Sequence, residues 1–152
     1  MNETLIKNWN AKVGVEDEVY HLGDVILSRD YDVIRRLNGV KHLIVGNHDI
    51  ENLHFKSFRE LWVSINNYYE ITIGETKAVL SHYPFERWNK MSYGSLHFHG
   101  HCHGTLKNEI PNRFDVGIDC HHNLEPFDID EIKQTKFYRE WSKKVNEIPY
   151  IE

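Results

Sequence analysis

Residues 18–49 read EVYHLGDVILSRDYDVIRRLNGVKHLIVGNHD. Glu18-Val19-Tyr20-His21-Leu22 has the composition of a strand and runs straight into Gly23-Asp24. Residues 30–37 then predict a short helix that stops near Gly39. Residues 41–45 predict a second, more apolar strand, and it too ends in a polar turn, Gly46-Asn47-His48-Asp49. A strand, a helix and an apolar strand in that order predict a right-handed parallel crossover.

Working outward, Leu5, Ile6, Trp9 and Val13 recur at helical spacing, with Asn2 as N-cap and Gly14 as the stop. Downstream, residues 69–73, 77–80, 96–98 and 113–118 have strand character, and Gly74-Glu75 reads as the turn of a hairpin joining the first two. Asp128 and Glu131 have the spacing of a capping box, predicting a last helix through Trp141 to about Val145. The fold class expected is α/β, in one domain over residues 1–152 with no repeat or linker.

Composition narrows the function. The chain has 40% hydrophobic and 27% charged residues, which belongs to a globular protein. A net charge of −5 lacks the basic field of a non-specific nucleic-acid binder. No apolar run approaches the ~20 residues that span a bilayer, so no membrane partner and a cytoplasmic location are expected. The two cysteines, Cys102 and Cys120, cannot build a disulfide framework and belong to no C-x-x-C pair. Eleven histidines are the anomaly, five of them between His82 and His103. Imidazole is the commonest metal ligand and the usual proton carrier near neutral pH.

Four polar clusters follow predicted strands: Gly23-Asp24, residues 46–49, Ser81-His82 and Gly100-His101-Cys102-His103. Strand C-terminal ends are where loops converge on ligands in such sheets. Asp, Asn and several His form a mixed oxygen and nitrogen set, suited to Mn²⁺, Fe²⁺ or Zn²⁺ and poorly suited to Ca²⁺.

The order Gly-Asp, Gly-Asn-His-Asp, a lone His after an apolar strand and Gly-His-x-His resembles the signature of calcineurin-like metallophosphoesterases. The likeness covers nearly the whole chain and is nearest to the small bacterial and phage type. It implies a four-layer α/β/β/α sandwich and hydrolysis of a phosphomonoester or phosphodiester by metal-activated water, with a nucleotide among the candidate substrates. It implies one or two divalent ions, Mn²⁺ first, with Fe, Zn and Ni as alternatives. Asp24 would bridge both ions, Asn47, His82 and His101 would complete one site, and His103 would bind the other ion. His48 would be the catalytic residue at the leaving oxygen, tuned by Asp49.

One departure stands out. The family's opening strand with Asp-x-His is not found before Gly23-Asp24, as though the chain joined the family pattern roughly 30 residues late. Loss of that strand would expose sheet edges, so a homo-oligomer or a covering partner is expected, and a catalytically impaired scaffold binding a protein or nucleotide is the alternative function.

Other residues have plainer readings. Alternation puts His97 and His99 on one strand face, read as polar-face residues. His21 packs within the sheet, while His42 and His54 read as surface. His121-His122 read as a solvated loop, the alternative being replacement ligands for the departed pair. Cys102 packs. Tyr83, Pro84, Phe85 and Trp88 either wall a pocket or belong to the core, and Arg87 and Lys90 are available to phosphate oxygens.

Overall fold

A computed structural model of the chain describes residues 2–135. Helix α1 (Asn2–Lys12) leads to strand β1 (Glu18–His21), helix α2 (Asp32–Arg36) and strand β2 (Val40–Ile44). Helix α3 (Lys56–Arg59) and strand β3 (Ser64–Asn66) follow, then strands β4 (Tyr68–Ile73), β5 (Thr76–Ser81), β6 (Leu96–His99) and β7 (Arg113–Asp115), and helix α4 (Ile129–Lys133).

The strands form two sheets. The first is all parallel, in the order β1-β2-β3, with Tyr20 opposite His42 and His42 opposite Ser64. The second has the order β4-β5-β6-β7; β4 and β5 are the expected antiparallel hairpin, and β5, β6 and β7 run parallel.

Alternation along β2 explains how the layers stack. Ile44 faces the second sheet and shares a core with Leu22, Ala78, Leu80, Leu96, Phe98 and Ile132. Its neighbour Leu43 faces the other way, into Tyr31, Ile34, Phe58 and Trp62 under α2 and α3. Helix α1 adds Ile6, Trp9 and Val13, packed with Leu37, on that same side. At ~1.5–3 kcal/mol per fully buried large apolar side chain, these two interfaces are the main driving force for folding.

The outer face of the second sheet departs from expectation. His97 and His99 are buried, at 0% and 2% exposure, rather than on a wet polar face. The segment between β5 and β6 folds back over them: Phe85 stacks on the His97 ring at 5.0 Å and Trp88 lies 5.2 Å from it. His97 Nδ1 donates to the Val79 carbonyl at 3.0 Å, and Nε2 accepts the Phe85 amide at 2.9 Å. Alternation therefore identified the shared face correctly, but exposure depended on a roof that carries no periodic signal. This loop occupies the position of the fourth, helical layer, which the described residues do not contain. Among them, too, no helix is long and apolar enough to cross a membrane.

At the last helix the capping box is present, with Asp128 and Glu131 bonded reciprocally. The helix itself ends at Lys133; the part expected from there to Val145 falls almost wholly outside the described residues. His42 is half-buried, bonded to Ser64 Oγ at 2.7 Å and to Glu18.

Candidate metal centre

Four strand ends deliver four polar turns to one place. β1 runs into Gly23-Asp24, β2 into the turn that carries Asn47, β5 into His82, and β6 into the turn that carries His101. The backbones of Asp24 and His101 are left-handed, with φ of 56° and 64°. Such conformations cost a residue with a side chain about 1–3 kcal/mol, so the surroundings must impose them.

Asp49 does part of that work. Its fully buried carboxylate accepts from the amides of Asp24 (2.8 Å), Gly46 (2.8 Å) and Val25 (3.0 Å), tying the first turn to the second. The oxygens expected to tune His48 are thus spent on backbone donors.

His82, 1% exposed, is the pivot. Its Nδ1 lies 2.7 Å from the Leu22 carbonyl oxygen, which only accepts, so Nδ1 carries the hydrogen and in the neutral ring Nε2 presents a lone pair. That lone pair faces Asn47 Oδ1 at 3.0 Å, His101 Nδ1 at 3.1 Å and Asp24 Oδ2 at 3.4 Å. The two oxygens are acceptors as well. With the His82 ring neutral, its lone pair and these two oxygens have no hydrogen to share and repel one another unless a positive charge sits between them. The spacing also fits: ligand atoms on an ion with bonds of about 2.1 Å stand roughly 3.0–3.4 Å apart in octahedral or tetrahedral geometry. Asp24, His82 and His101 each offer one ligand atom within 4.8 Å of the others.

The remaining expected residues lie around this cluster. His48 is exposed; its amide donates to Asp24 Oδ1 at 2.9 Å, and its side chain lines a cavity of about 250 Å³ together with Leu27, Arg29, Asn47, Glu51 and Asn52. His103 is not among these converging atoms; its Nδ1 lies 2.5 Å from Asp119 Oδ2, and that carboxylate, with the charges of Asp115 and Asp24 adding to it, holds its imidazole above the ordinary histidine range. Tyr83 walls the centre, with its ring edge-on to His82 and His101 at 4.9 and 4.7 Å.

Two residues have no motif to announce them. Arg29 lines the cavity with its guanidinium 4.6 Å over the Phe55 ring, and Asp119 grips His103. Lys90 lies elsewhere, in a separate cavity of about 230 Å³ with Glu70, Lys77 and Asn89 on the second sheet. His121 is buried rather than solvated, 3.6 Å from Glu125 and 3.8 Å from Glu131. Lys12 already neutralises those carboxylates, with its ammonium 2.7 Å from Glu131. Both thiols are raised by burial, Cys120 to about 12, and so stay protonated at neutral pH.

The fold has a solved counterpart. A protein of unknown function from Aquifex aeolicus superposes with a TM-score of 0.68 at 23% identity, over 88% of this chain and 83% of its own. In sequence the chain is similar to the Gene 66 protein of Mycobacterium phage D29, 28% identical over 161 residues, covering 86% of this chain and 80% of the relative. It is also similar to an uncharacterised protein of Methanocaldococcus jannaschii, 34% identical over 116 residues, covering 73% of this chain and 58% of the relative. No family model matches.

Proposed function

We propose that the chain is a metal-dependent phosphoesterase whose centre is Asp24, Asn47, His82 and His101. The observation that carries this reading is the His82 lone pair, 3.0–3.4 Å from two oxygens that also only accept. The motif resemblance supplies the reaction class, and the mixed oxygen and nitrogen donors favour Mn²⁺, with Fe²⁺ and Zn²⁺ also suited.

A divalent ion held there would polarise a phosphoryl oxygen and lower the pKa of a coordinated water. The chain's own residues do the rest. Leu22 holds the Nδ1 hydrogen of His82, so that in the neutral ring Nε2 is the nitrogen free of hydrogen. Asp49 fixes the Asp24 and Gly46 turns against thermal drift. His48 offers an exposed imidazole at the mouth of the cavity, within reach of a leaving oxygen. Arg29 offers a planar fork of donors to a phosphate or to the group it esterifies. The cavity of about 250 Å³ accepts a substituent beyond the phosphate, so phosphomonoesters and phosphodiesters both fit.

The test is Mn²⁺-stimulated hydrolysis of a generic aryl phosphodiester and of the matching monoester by the purified chain. Asp24→Ala and His101→Ala should each lower kcat/KM at least about 100-fold, the scale of removing a group that acts on the transition state. Equal rates for the wild type and both variants would refute the assignment.

A further inference from the structure

His103 shares the loop after β6 with His101, yet its ring is held from another part of the chain. The contact is with Asp119, in the single 3₁₀ turn Ile118–Cys120 that follows β7. A carboxylate accepts only, so His103 Nδ1 carries the hydrogen, and in the neutral ring, the form that binds a cation, Nε2 is the lone pair on the far side.

Both ends of this contact are built. Asp115, the last residue of β7, accepts from the Gly104 amide through Oδ2 at 2.9 Å and from the Gly117 amide through Oδ1 at 3.1 Å. One carboxylate thus clamps the loop carrying His103 to the loop carrying Asp119. The approach is tight enough that a Cβ at Gly117 would come within 2.7 Å of Asp119 Oδ1 and 3.3 Å of Asp115 Oδ1. On the other side, His103 and Gly104 both have positive φ, 49° and 69°.

Magnitudes argue against a purely stabilising purpose. The His103 and Asp119 side chains are 68% and 48% exposed, and solvent screening leaves an exposed ion pair adding little to stability. The left-handed backbone at His103, with its side chain, is strained. Stability gains little, but ring orientation is fixed. His82 shows the same device on a buried ring: Nδ1 tied to an acceptor, Nε2 left open toward other donors of electron pairs. Histidines that ligate metals almost always give their second ring N–H to such an acceptor.

We propose that Asp119 is the positioning residue of His103, fixing its Nδ1–H form so that Nε2 serves as a ligand to a divalent cation beside Asp24. This rests on the metal reading of the Asp24 centre and adds the residue that makes His103 competent to join it.

The test uses the full chain with Mn²⁺ alone as the probe, read by calorimetry and by the electron paramagnetic resonance of free Mn²⁺. Histidine ring ¹⁵N shifts are recorded without metal, with His103→Gln used to assign the His103 signals. Asp119→Ala should weaken Mn²⁺ binding about 10–100-fold, shift His103 away from the Nδ1–H signature and leave the melting temperature unchanged. Asp119→Asn keeps an oxygen that accepts from Nδ1–H, and should recover the ring signature and most of the affinity. Unchanged Mn²⁺ affinity in Asp119→Ala, or an unchanged ring signature, overturns the proposal. If Asp24→Asn still abolishes binding in that case, the metal centre survives and only the role of Asp119 falls. A wild-type chain that binds no Mn²⁺ overturns both.

Discussion

Gly46 leaves the centre no room. A Cβ at this position would lie 2.4 Å from Asp24 Oδ1, 2.5 Å from the Asp24 amide nitrogen and 2.8 Å from His82 Cε1. All three atoms belong to the proposed ligands Asp24 and His82, and the backbone nitrogen cannot swing aside as a flexible side chain would. Gly46→Ala should therefore push Asp24 off its position, weakening Mn²⁺ binding about 10–100-fold while costing about 1–3 kcal/mol of stability through overpacking. Calorimetric titration and a urea midpoint measure the two effects separately; wild-type Mn²⁺ affinity in this variant would show that the close approach is not used. At this scale the sequence displayed the ligands better than their supports. The proposed ligands Asp24, Asn47, His82 and His101 announce themselves by following strands, three of them directly after a glycine, whereas Asp119 and Arg29 sit in no motif, and only tertiary contact brings them to His103 and to the cavity. Asp49 stood inside a motif, yet its three backbone bonds reach turns that sequence order cannot place side by side.

Elements were legible where a period or a flanking motif marked them. The β4–β5 hairpin, with its Gly74-Glu75 turn, and α1, with its repeating apolar face, are long enough for a period to show. Helix α3, four residues long, and β3, three residues long, are too short to show one. Packing makes α3 matter all the same. Phe58, fully buried, lies 5.2 Å from the Tyr31 ring and 5.8 Å from the Trp62 ring, beneath the face of the first sheet that Leu43 occupies. Removing it empties a site walled by aromatics that cannot collapse easily. Phe58→Ala should cost about 3–5 kcal/mol, read as a lower urea midpoint at unchanged m. A loss under about 1 kcal/mol would mean that α3 is not held as a packed element.

For the whole molecule, two sheets facing one another were implied by the family likeness, and so was an outer layer on the second sheet, but as helix rather than as the loop that covers His97. That layer has an electrostatic consequence. Burial beneath Phe85 and Trp88 lowers the His97 pKa to about 4, helped by nearby His99 and Arg113 and opposed by its bond to Val79. The folded chain thus prefers the neutral ring, while the unfolded chain takes up a proton near pH 6.5. The stabilising difference is present in full above about pH 6.5 and is lost progressively as pH falls toward 4. Its full size is about 3 kcal/mol, of which about 2 kcal/mol disappears between pH 7 and pH 5. His21 and His99 are lowered by burial too and act in the same direction. His103, raised by Asp119, acts the other way, but its side chain is 68% exposed and its share is small. Urea unfolding at pH 7, 6 and 5 should show stability falling with acid, and His97→Gln, although less stable at pH 7, should fall less steeply, by about one proton in slope. Parallel pH profiles for the two proteins would show that the roof does not hold His97 neutral.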